Sequence, residues 1–445
     1  MTKRLFLRVK VMLITFTLLT VSVFGSINVS ASTAYTGMRN ISALDLVKDM
    51  KLGWNLGNTM DADDGETSWG CPMTTKAMID EVKKAGFNTL RIPITWYKHM
   101  GGAPNYTINN DWLNRVEQIV NYAMDNNMYV IINLHHESNS WLIPKYANQS
   151  ENTNIITKLW AQISERFKNY SDYLIFETLN EPRLKGESTE WSGGTAEARD
   201  VINKYNLAAV NTIRNSGGNN AKRFIMVPTY AAAAMPSCVD SLVIPNNDNR
   251  VIVSLHMYSP YTYCGDIKGT SYWGSDSDKS GLDGELDAVY NKFVRNGRAV
   301  VIGEFGSINK NNLPSRLVHA DYFVRAAKTR GIPVIWWDNN QFTGGKAESF
   351  GIFDRNSLRW VFPEIVKTLV NAAGITTTTM YGDLNNDKNV DALDLALMKM
   401  YLLDKKTQID LKAADVTGDN AVDALDFACI KQFLLKMINK FPAAN

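Results

Sequence analysis

Residues 299–306 read Ala-Val-Val-Ile-Gly-Glu-Phe-Gly, an apolar run that closes on a single carboxylate, Glu304. A second run, Leu-Ile-Phe at 174–176, is followed closely by Asn180-Glu181-Pro182. Short apolar runs of this kind are typical of strands that are buried on both faces, as in parallel sheets. A carboxylate that closes such a strand must be desolvated, paired or functional. These two stretches therefore indicate both the fold and the candidate site.

Similar runs alternate with amphipathic segments between about residues 50 and 340, and the strand comes first each time. The predicted strands are 52–56, 89–93, 129–134, 174–177, 223–228, 251–256, 299–303 and 333–337. The predicted helices between them are 75–85, 113–126, 155–169, 197–216, 282–296 and 316–329. Eight strand-then-crossover units over roughly 300 residues predict an α/β fold, a (β/α)8 TIM barrel.

Polar and aromatic residues cluster where the predicted strands end, which is where a barrel of this type carries its functional side chains. They are Arg91, His135, His136, Asn180, Glu181, His256, Tyr258, Glu304 and Trp337. Hydrolysis of a glycosidic bond with retention needs two carboxyl groups about 5–5.5 Å apart, one to protonate the leaving oxygen and one to attack the anomeric carbon. Glu181 and Glu304 are the candidates for such a pair, and the alternative for them is an inert salt-bridge network.

These motifs, together with the block Gly-Trp-Asn-Leu-Gly-Asn-Thr at 53–59, resemble those of family 5 glycoside hydrolases, in the endoglucanase branch that includes clostridial cellulases. The resemblance spans about residues 45–370. It implies a retaining endo-β-1,4-glucanase that acts on cellulose and related β-glucans without a catalytic cofactor. It also implies that Glu181 is the general acid/base and Glu304 the nucleophile.

The same resemblance implies roles for the supporting residues. Asn180 would hold the sugar 2-hydroxyl, and Arg91 would keep the nucleophile ionised. Tyr258 would hydrogen-bond the nucleophile, and Trp337 would form the platform under the sugar that is cleaved. His135 and His256 match the histidines of the family's third and sixth strands. For Arg91 and His256 a purely structural role stays open, and His136 is equally well a binding residue or a strand-end cap.

Two further readings stay open at this point. The same barrel serves as a xyloglucanase, a mannanase or a xylanase in related enzymes. A reading from another class is a non-catalytic carbohydrate-binding component of a scaffold. It is disfavoured because both carboxylates and their supporting residues are present.

Other tryptophans are candidates for sugar subsites, because sugar rings stack on aromatic planes. Those in or beside predicted βα loops are Trp69, Trp96, Trp141 and Trp273, whereas Trp112 and Trp160 lie in helical patterns and are assigned to packing. Trp336 precedes Trp337 in the same strand and is assigned to the core, because successive side chains of a strand point to opposite faces.

The N-terminus reads as a secretory signal peptide, residues 1–31. A basic start at Lys3, Arg4, Arg8 and Lys10 precedes an apolar run, 11–24, that is too short for an ordinary membrane span. Its removal leaves 43 basic and 45 acidic residues, which argues against nucleic acid as a partner. We therefore expect a secreted, soluble protein with a catalytic region at 36–374 that is monomeric. The four cysteines form no C-x-x-C pair, and several disulfide connectivities stay open.

The composition changes after Gly374. A Thr-rich linker, 375–380, leads into residues 381–445, where a twelve-residue pattern occurs twice at an offset of 32 residues. Oxygen ligands at positions 1, 3, 5, 7, 9 and 12 are typical of calcium loops. The first loop supplies Asp383, Asn385, Asp387, the Asn389 carbonyl, Asp391 and Asp394. The second supplies Asp415, Thr417, Asp419, the Ala421 carbonyl, Asp423 and Asp426.

Each loop is followed by one predicted helix, 395–403 or 427–435, so the region is expected to be a small, duplicated all-α domain. The pattern resembles a type I dockerin, which implies a cohesin partner on a cellulosomal scaffold. Position 12 is Asp rather than Glu, and position 6 is Lys388 or Asn420 rather than Gly. In dockerins, positions 10 and 11 face the cohesin, and here both repeats carry Ala-Leu at 392–393 and 424–425.

Overall fold

The computed structural model describes residues 37–375, 380–385, 389–407 and 409–444. The predicted signal peptide, Thr376 to Thr379 of the linker, and Asp387 and Lys388 of the first calcium loop lie outside the described residues. Eight parallel strands close into a barrel in which β1 pairs with both β2 and β8. They are β1 Leu52–Asn55, β2 Thr89–Ile92, β3 Tyr129–Asn133, β4 Leu174–Glu177, β5 Ile225–Ala233, β6 Val251–His256, β7 Val300–Phe305 and β8 Val334–Trp336. The TIM-barrel prediction is confirmed.

Helices surround the barrel, and each amphipathic segment of the sequence overlaps one of them. They are α1 Ala43–Asp49, α2 Lys76–Lys84, α3 Asn110–Met124, α4 Tyr146–Arg166, α5 Ala196–Asn215, α6 Pro236–Ser241, α7 Tyr261–Cys264, α8 Asp276–Lys292, α9 Leu313–Thr329 and α10 Pro363–Ala373. A short antiparallel pair, β9 Phe353–Asp354 and β10 Arg359–Trp360, lies between β8 and α10. The C-terminal region contains α11 Ala392–Leu403, α12 Leu411–Ala414 and α13 Ala424–Leu434.

The apolar core has two layers because every barrel strand is buried on both faces. The larger layer joins the strands to the surrounding helices. A second cluster includes Ile131, Ile175, Ile252 and Val301, and it packs against Leu46 of α1. Helix α1 therefore closes the end of the barrel where the strands begin, and the opposite end carries the polar strand-end residues.

Capping boxes with an aspartate at the third helical position mark the start of three helices. At α8 the Ser275 side chain accepts the backbone N–H of Asp278, and the Asp278 side chain accepts that of Ser275. Asp391 with Asp394, and Asp423 with Asp426, repeat this arrangement at α11 and α13. The duplication seen in the sequence is thus a duplication of loop-to-helix geometry.

The four cysteines lie within the described part of the chain and are thiols, with Cys71, Cys238 and Cys264 buried and Cys429 partly exposed. Among the described residues, no helix is both long and apolar enough for a membrane crossing.

Candidate active site

Two carboxylates meet at the end of the barrel where the strands terminate. Glu304 lies in β7, and Glu181 lies four residues beyond the end of β4. One oxygen of each carboxylate and a ring nitrogen of His256 all lie within 4.8 Å of one another. The β6–β7 register shifts between Leu255 and His256, so that His256 pairs with Glu304. Irregularities of this kind re-aim side chains beside active sites.

Arg91 of β2 connects the strands beneath these carboxylates and is completely buried. Its guanidinium donates to Oε1 of Glu304 at 2.7 Å, to Oδ1 of Asn180 at 2.7 Å and to Oε2 of Glu177 at 2.9 Å. Burial opposes the charge, but Glu177 and Glu304 outweigh it and hold the pKa of Arg91 above its ordinary value. Arg91 is therefore a fixed cation that orients both Glu304 and Asn180.

Glu177 is a site residue that the sequence analysis missed. It is the last residue of β4, and it accepts hydrogen bonds from Arg91, from Nδ2 of Asn133 at 2.9 Å and from the Ser254 hydroxyl. The argument applied to Glu304, a carboxylate that closes an apolar strand, would have found it. β4 ends at Glu177, as the predicted strand 174–177 does, and Asn180, Glu181 and Pro182 lie in the loop that follows.

The second carboxylate, Glu181, shares a hydrogen bond with His256, whose Nδ1 lies 2.8 Å from Oε1 of Glu181. Burial raises the pKa of Glu181, but the hydrogen bond and charge of His256, followed by the charges of Arg183 and His136, leave that pKa below its ordinary value. Burial lowers the pKa of His256, and the charges of Glu304 and Glu181 reverse this and leave it raised. In the free protein, a proton on this pair therefore belongs mainly to His256.

The other oxygen of Glu304 faces Tyr258, whose hydroxyl donates to Oε2 at 2.9 Å. Burial, followed by the charges of Glu304 and Glu181, raises the pKa of Tyr258 well above its usual range. The phenol therefore stays protonated. Glu304 consequently accepts one hydrogen bond on each carboxylate oxygen, from Arg91 and from Tyr258.

His135 and His136 follow β3 and are both neutral at pH 7. Burial lowers the pKa of His136 to about 4, and burial with the charges of His136 and Arg91 holds the pKa of His135 well below its usual range. Oδ1 of Asn133 accepts the Ile94 N–H, which turns its Nδ2 toward Nδ1 of His135 at 3.1 Å. This network assigns the proton of His135 to Nε2. His135 therefore presents an N–H donor.

Trp337 directly follows β8 and lies over Gly57 of the 53–59 block. A Cβ built at Gly57 would lie 2.8 Å from the Trp337 ring, so the close approach requires glycine. The Trp337 ring is parallel to that of His135, with the centroids 6.0 Å apart and an interplanar angle of 4°. The structure thus brings all nine predicted strand-end residues to one end of the barrel.

The remaining tryptophans divide differently from the prediction. Trp69 is 38% exposed and lies against His136, and Trp141 is partly exposed, with its indole N–H bonded to Glu137. The subsite prediction is wrong for Trp96 and Trp273, because both are buried. The Trp96 indole donates to the Asn133 carbonyl, and Trp273 packs on His319 and Tyr322. The packing assignments for Trp112, Trp160 and Trp336 agree with their burial.

Comparison with known protein families shows which family the chain resembles. The sequence profile of the family described as cellulase, glycosyl hydrolase family 5, matches residues 55–343. The chain belongs to glycosyl hydrolase family 5. The matched residues of this family 5 cellulase run from β1 to the loop after β8 and include both carboxylates.

Related proteins agree with this assignment. The chain is 58% identical over 413 residues to endoglucanase B of Clostridium cellulovorans, which covers 92% of this chain and 93% of that protein. The structure of a GH5-4 broad specificity endoglucanase from Clostridium acetobutylicum superposes with a TM-score of 0.74 at 57% identity, covering 75% of this chain and all of the other. A GH5-4 broad specificity endoglucanase from Ruminococcus champanellensis with bound cellotriose gives 0.72 at 46% identity, covering 75% and 99%.

The C-terminal region of this family 5 cellulase contains the second candidate site. Asp394 is completely buried, and its oxygens accept the backbone N–H groups of Leu384, Asn385 and Asp391. Asp426 is also buried and takes the equivalent bonds from Thr417 and Asp423. No lysine or arginine in the described residues forms an ion pair with either aspartate. Buried carboxylates that the chain pairs with no cation are of the ligand type that a hard divalent cation prefers.

Two departures from the calcium-loop pattern find a local explanation in the second loop. Asn420 at position 6 has a φ of +66°, a conformation that asparagine tolerates better than most residues. The Thr417 hydroxyl at position 3 donates to Asp426 at 3.0 Å. The profile of the type I dockerin domain matches residues 381–435. The cellulase therefore carries a C-terminal type I dockerin, a domain type whose partner is a cohesin.

Proposed function

We propose that this family 5 endoglucanase hydrolyses internal β-1,4 bonds of cellulose and related β-glucans by double displacement, with retention at the anomeric carbon. The observation that carries the proposal is the spacing of the two carboxylates, whose nearest oxygens lie within 4.8 Å of each other. Retaining glycosidases hold their carboxyl groups about 5–5.5 Å apart, whereas inverting ones leave roughly 6.5–9.5 Å for a water molecule. The bound of 4.8 Å supports the shorter, retaining arrangement.

In this proposal Glu304 is the nucleophile. Its two oxygens are fixed by hydrogen bonds from Arg91 and Tyr258, which aim the carboxylate into the site. Tyr258 holds the carboxylate without competing for the negative charge, because its own pKa lies far above neutrality. Glu177 pairs with Nε and Nη2 of the Arg91 guanidinium, whereas Glu304 pairs with Nη1. Arg91 is therefore shared between a structural and a catalytic carboxylate.

Glu181 is the proposed proton donor to the leaving oxygen and, in the second step, the base that activates water. Its lowered pKa means that Glu181 alone does not store the proton in the free enzyme. His256 lies 2.8 Å away with a raised pKa, so the proton is stored on the Glu181–His256 pair and passes to Glu181 as the leaving oxygen takes it up. The two carboxylates therefore take different roles because their neighbours differ.

The sugar-binding assignments follow from donors and planes that face the carboxylates. Asn180, which Arg91 orients, is positioned for the 2-hydroxyl, where a contact strengthens in the transition state. His135 presents its Nε2–H, and Trp337 supplies the platform beneath the sugar that is cleaved. His136 and Trp69 form an adjoining aromatic wall. The proposed substrate range extends beyond cellulose to related β-glucans, which the broad specificity named for the related endoglucanases supports.

The proposal for the dockerin is that calcium binds both loops and that the folded domain docks on a cohesin of a cellulosomal scaffold. Calcium would be held by the aspartates of each loop, and the ion would supply the positive charge that the buried Asp394 and Asp426 lack. The catalytic region acts as a monomer. Residues 1–31 act as a signal peptide, so the enzyme is secreted and works outside the cell.

The stereochemistry of the first product tests the mechanism. Proton NMR spectra recorded in the first minutes of hydrolysis of a soluble β-glucan should show the β-anomer before mutarotation. Initial appearance of the α-anomer would contradict the double displacement. A parallel panel of cellulose derivatives, mixed-linkage glucan, xyloglucan, mannan and xylan defines the substrate range, and hydrolysis confined to mannan or xylan would contradict the β-glucanase proposal.

A further inference from the structure

A cluster of polar side chains lies buried on the β7–β8 side of the barrel, outside the catalytic site. Its centre is Arg316 in the first turn of α9, which has no exposed surface. None of its three guanidinium nitrogens has a hydrogen-bond partner among the described residues. The guanidinium carbon lies 4.9 Å from the centroid of the Phe362 ring and 5.9 Å from that of Trp336. These two rings contact the guanidinium, but they do not accept hydrogen bonds from its N–H groups.

Two hydroxyl groups accompany Arg316. The Tyr263 hydroxyl and the Ser307 hydroxyl are both buried, and the Tyr263 hydroxyl interacts with the hydroxyls of Ser307 and Ser315. Burial raises the pKa of Tyr263 to about 12, although the nearby Ser315 and Ser307 hydroxyls and the Arg316 charge act in the opposite direction. Tyr263 therefore lies near both Ser307 and Arg316. The three residues come from α7, from the segment after β7 and from α9.

The charge of this cluster is positive and uncompensated. The carboxylate that influences Arg316, Asp338, is already bonded to Arg355 at 3.0 Å, and both of those side chains are fully buried. Burial lowers the pKa of Arg316 to about 10, so it remains protonated at neutral pH. Lys310 is a second cation nearby. Its ammonium nitrogen lies 5.9 Å from the centroid of the Tyr263 ring and donates to the carbonyl oxygens of Thr262 and Thr270.

Hydrogen-bond donors dominate the cluster. The Trp273 indole N–H is a further buried donor with no partner in the described residues. His319 packs between Tyr263 and Trp273, and burial lowers its pKa to about 4, so it is neutral. Its Nε2 faces the Ser259 carbonyl at 3.2 Å and must carry the proton, which leaves Nδ1 as an unpaired acceptor. A buried guanidinium whose N–H groups are all unpaired is complementary to an anion rather than to a neutral ligand.

We propose that Arg316, Tyr263 and Ser307 form a binding site for a small monovalent anion of the halide class, with chloride as the ligand in a saline medium. The anion neutralises Arg316. It accepts hydrogen bonds from the unpaired Arg316 N–H groups and from the hydroxyls of Tyr263 and Ser307. It joins α7, α9 and the end of β7, and it thereby stabilises the wall of the barrel behind Trp336. The site is structural and takes no part in the reaction.

Bromide replaces chloride and scatters anomalously, so crystals of the full chain soaked in sodium bromide test the site directly. We expect an anomalous peak in contact with the Arg316 guanidinium and the Tyr263 hydroxyl. Density there without an anomalous signal would mean that water fills the site and would overturn the proposal. A peak that appears only at molar bromide and has no effect in solution would mean an adventitious ion only.

Thermal unfolding measures the effect in solution. Chloride is titrated against gluconate at constant ionic strength, and the melting temperature of the catalytic region should rise by a few degrees and then saturate. Arg316→Met should abolish the dependence, whereas Arg325→Met, on the exposed face of the same helix, should retain it. If Arg316→Met does not fold, Tyr263→Phe and Ser307→Ala should each weaken the dependence. A melting temperature of the wild-type chain that does not change with chloride would refute the site.

Discussion

Both regions of this endoglucanase bury carboxylates, but they satisfy the charge differently. In the barrel, Glu177 and Glu304 are buried and share Arg91, with contacts of 2.8 and 2.7 Å. In the dockerin, Asp394 and Asp426 are equally buried, and no described lysine or arginine pairs with either. The barrel thus carries its own counter-ion, whereas the aspartates of the dockerin are held by backbone N–H groups, and the proposed calcium would supply their counter-charge.

Because of this difference, the two regions should differ in their need for a bound metal ion. A buried carboxylate that is paired by its own chain gives a preformed site, ready before substrate arrives. A domain of about 65 residues buries only a small core, so a metal that neutralises its buried charge also supplies folding free energy. Catalysis should therefore be independent of calcium, and docking should not be.

Loss of the nucleophile should have the largest effect. Glu304→Ala and Glu304→Gln should each lower kcat/KM on a soluble glucan by about 10⁴-fold or more, because the covalent step is lost. Azide should restore turnover to Glu304→Ala, with a product of opposite anomeric configuration, and should not restore Glu304→Gln, whose side chain still fills the space. Both variants should keep wild-type cohesin affinity. Near-native hydrolysis by Glu304→Ala would refute the assignment.

Removal of calcium should have the next largest effect, and only on the dockerin. With chelator, cohesin affinity measured by calorimetry should fall by at least about 100-fold. The free energy that orders the loops must then come from cohesin binding itself. The rate of hydrolysis of a soluble glucan should not change. Equal cohesin binding with calcium and with chelator would exclude the proposed role of the ion, and a parallel loss of hydrolysis would break the contrast between the two regions.

The pH dependence of hydrolysis should distinguish the two neighbours of Glu181. Because the folded pKa of His256 is raised, the shared proton is present at low pH and is lost as the pH rises through that value, above 6.5. His256→Asn leaves the proton to Glu181 alone, and the alkaline limb of kcat/KM should move down by roughly one unit or more.

Arg183 gives the matched change of opposite sign. Its guanidinium lies 3.6 Å from Oε2 of Glu181, so Arg183→Gln removes a positive charge and should move the same limb up by about half a unit. Lys204→Gln, which removes an exposed cation paired with Asp200 on α5, should leave the profile unchanged. Movement of the limb in the same direction in both site variants would contradict the shared-proton proposal.

The smallest effect is expected within the dockerin itself. Leu393 and Leu425 are 54% and 61% exposed, and each backbone N–H is bonded to its capping aspartate at 2.7 Å. Near-identical surfaces should dock in either orientation, so replacement of 392–393 by Asp-Asp should change cohesin affinity by no more than about threefold. Replacement of both pairs should abolish binding. Full loss from the single-repeat variant would show that one repeat alone makes the contact.

Much of the barrel could be predicted from the sequence because its signals are local. Each strand is a short apolar run, and the eight observed strands lie within a few residues of the predicted ones. The exceptions are informative. The observed β5 continues to Ala233 instead of ending at 228, and β7 continues to Phe305 instead of ending at 303. Strand ends depend on hydrogen bonds from neighbouring strands, which a single segment does not reveal.

For the candidate site, the sequence predicts the two carboxylates better than the aromatic residues. Glu181 and Glu304 stand out because a carboxylate after an apolar run is costly unless it has a function. Trp96 and Trp273 were assigned to sugar subsites by their position in loops, and both are buried. Whether a loop tryptophan faces the cleft or the core depends on its rotamer and on partners such as the Asn133 carbonyl, which are distant in sequence.

The sequence by itself determined the barrel, the two catalytic candidates and the duplicated calcium pattern, since each follows from periodicity, spacing or an unusual residue in an apolar context. Only the tertiary structure decided the pairing of Glu177 with Arg91, the hydrogen bond between Glu181 and His256, and the burial of Asp394 and Asp426. The physical reason is that a charge interacts with whatever the fold places within a few ångströms of it. Arg91 and Glu304 are 213 residues apart in the chain and 2.7 Å apart in space.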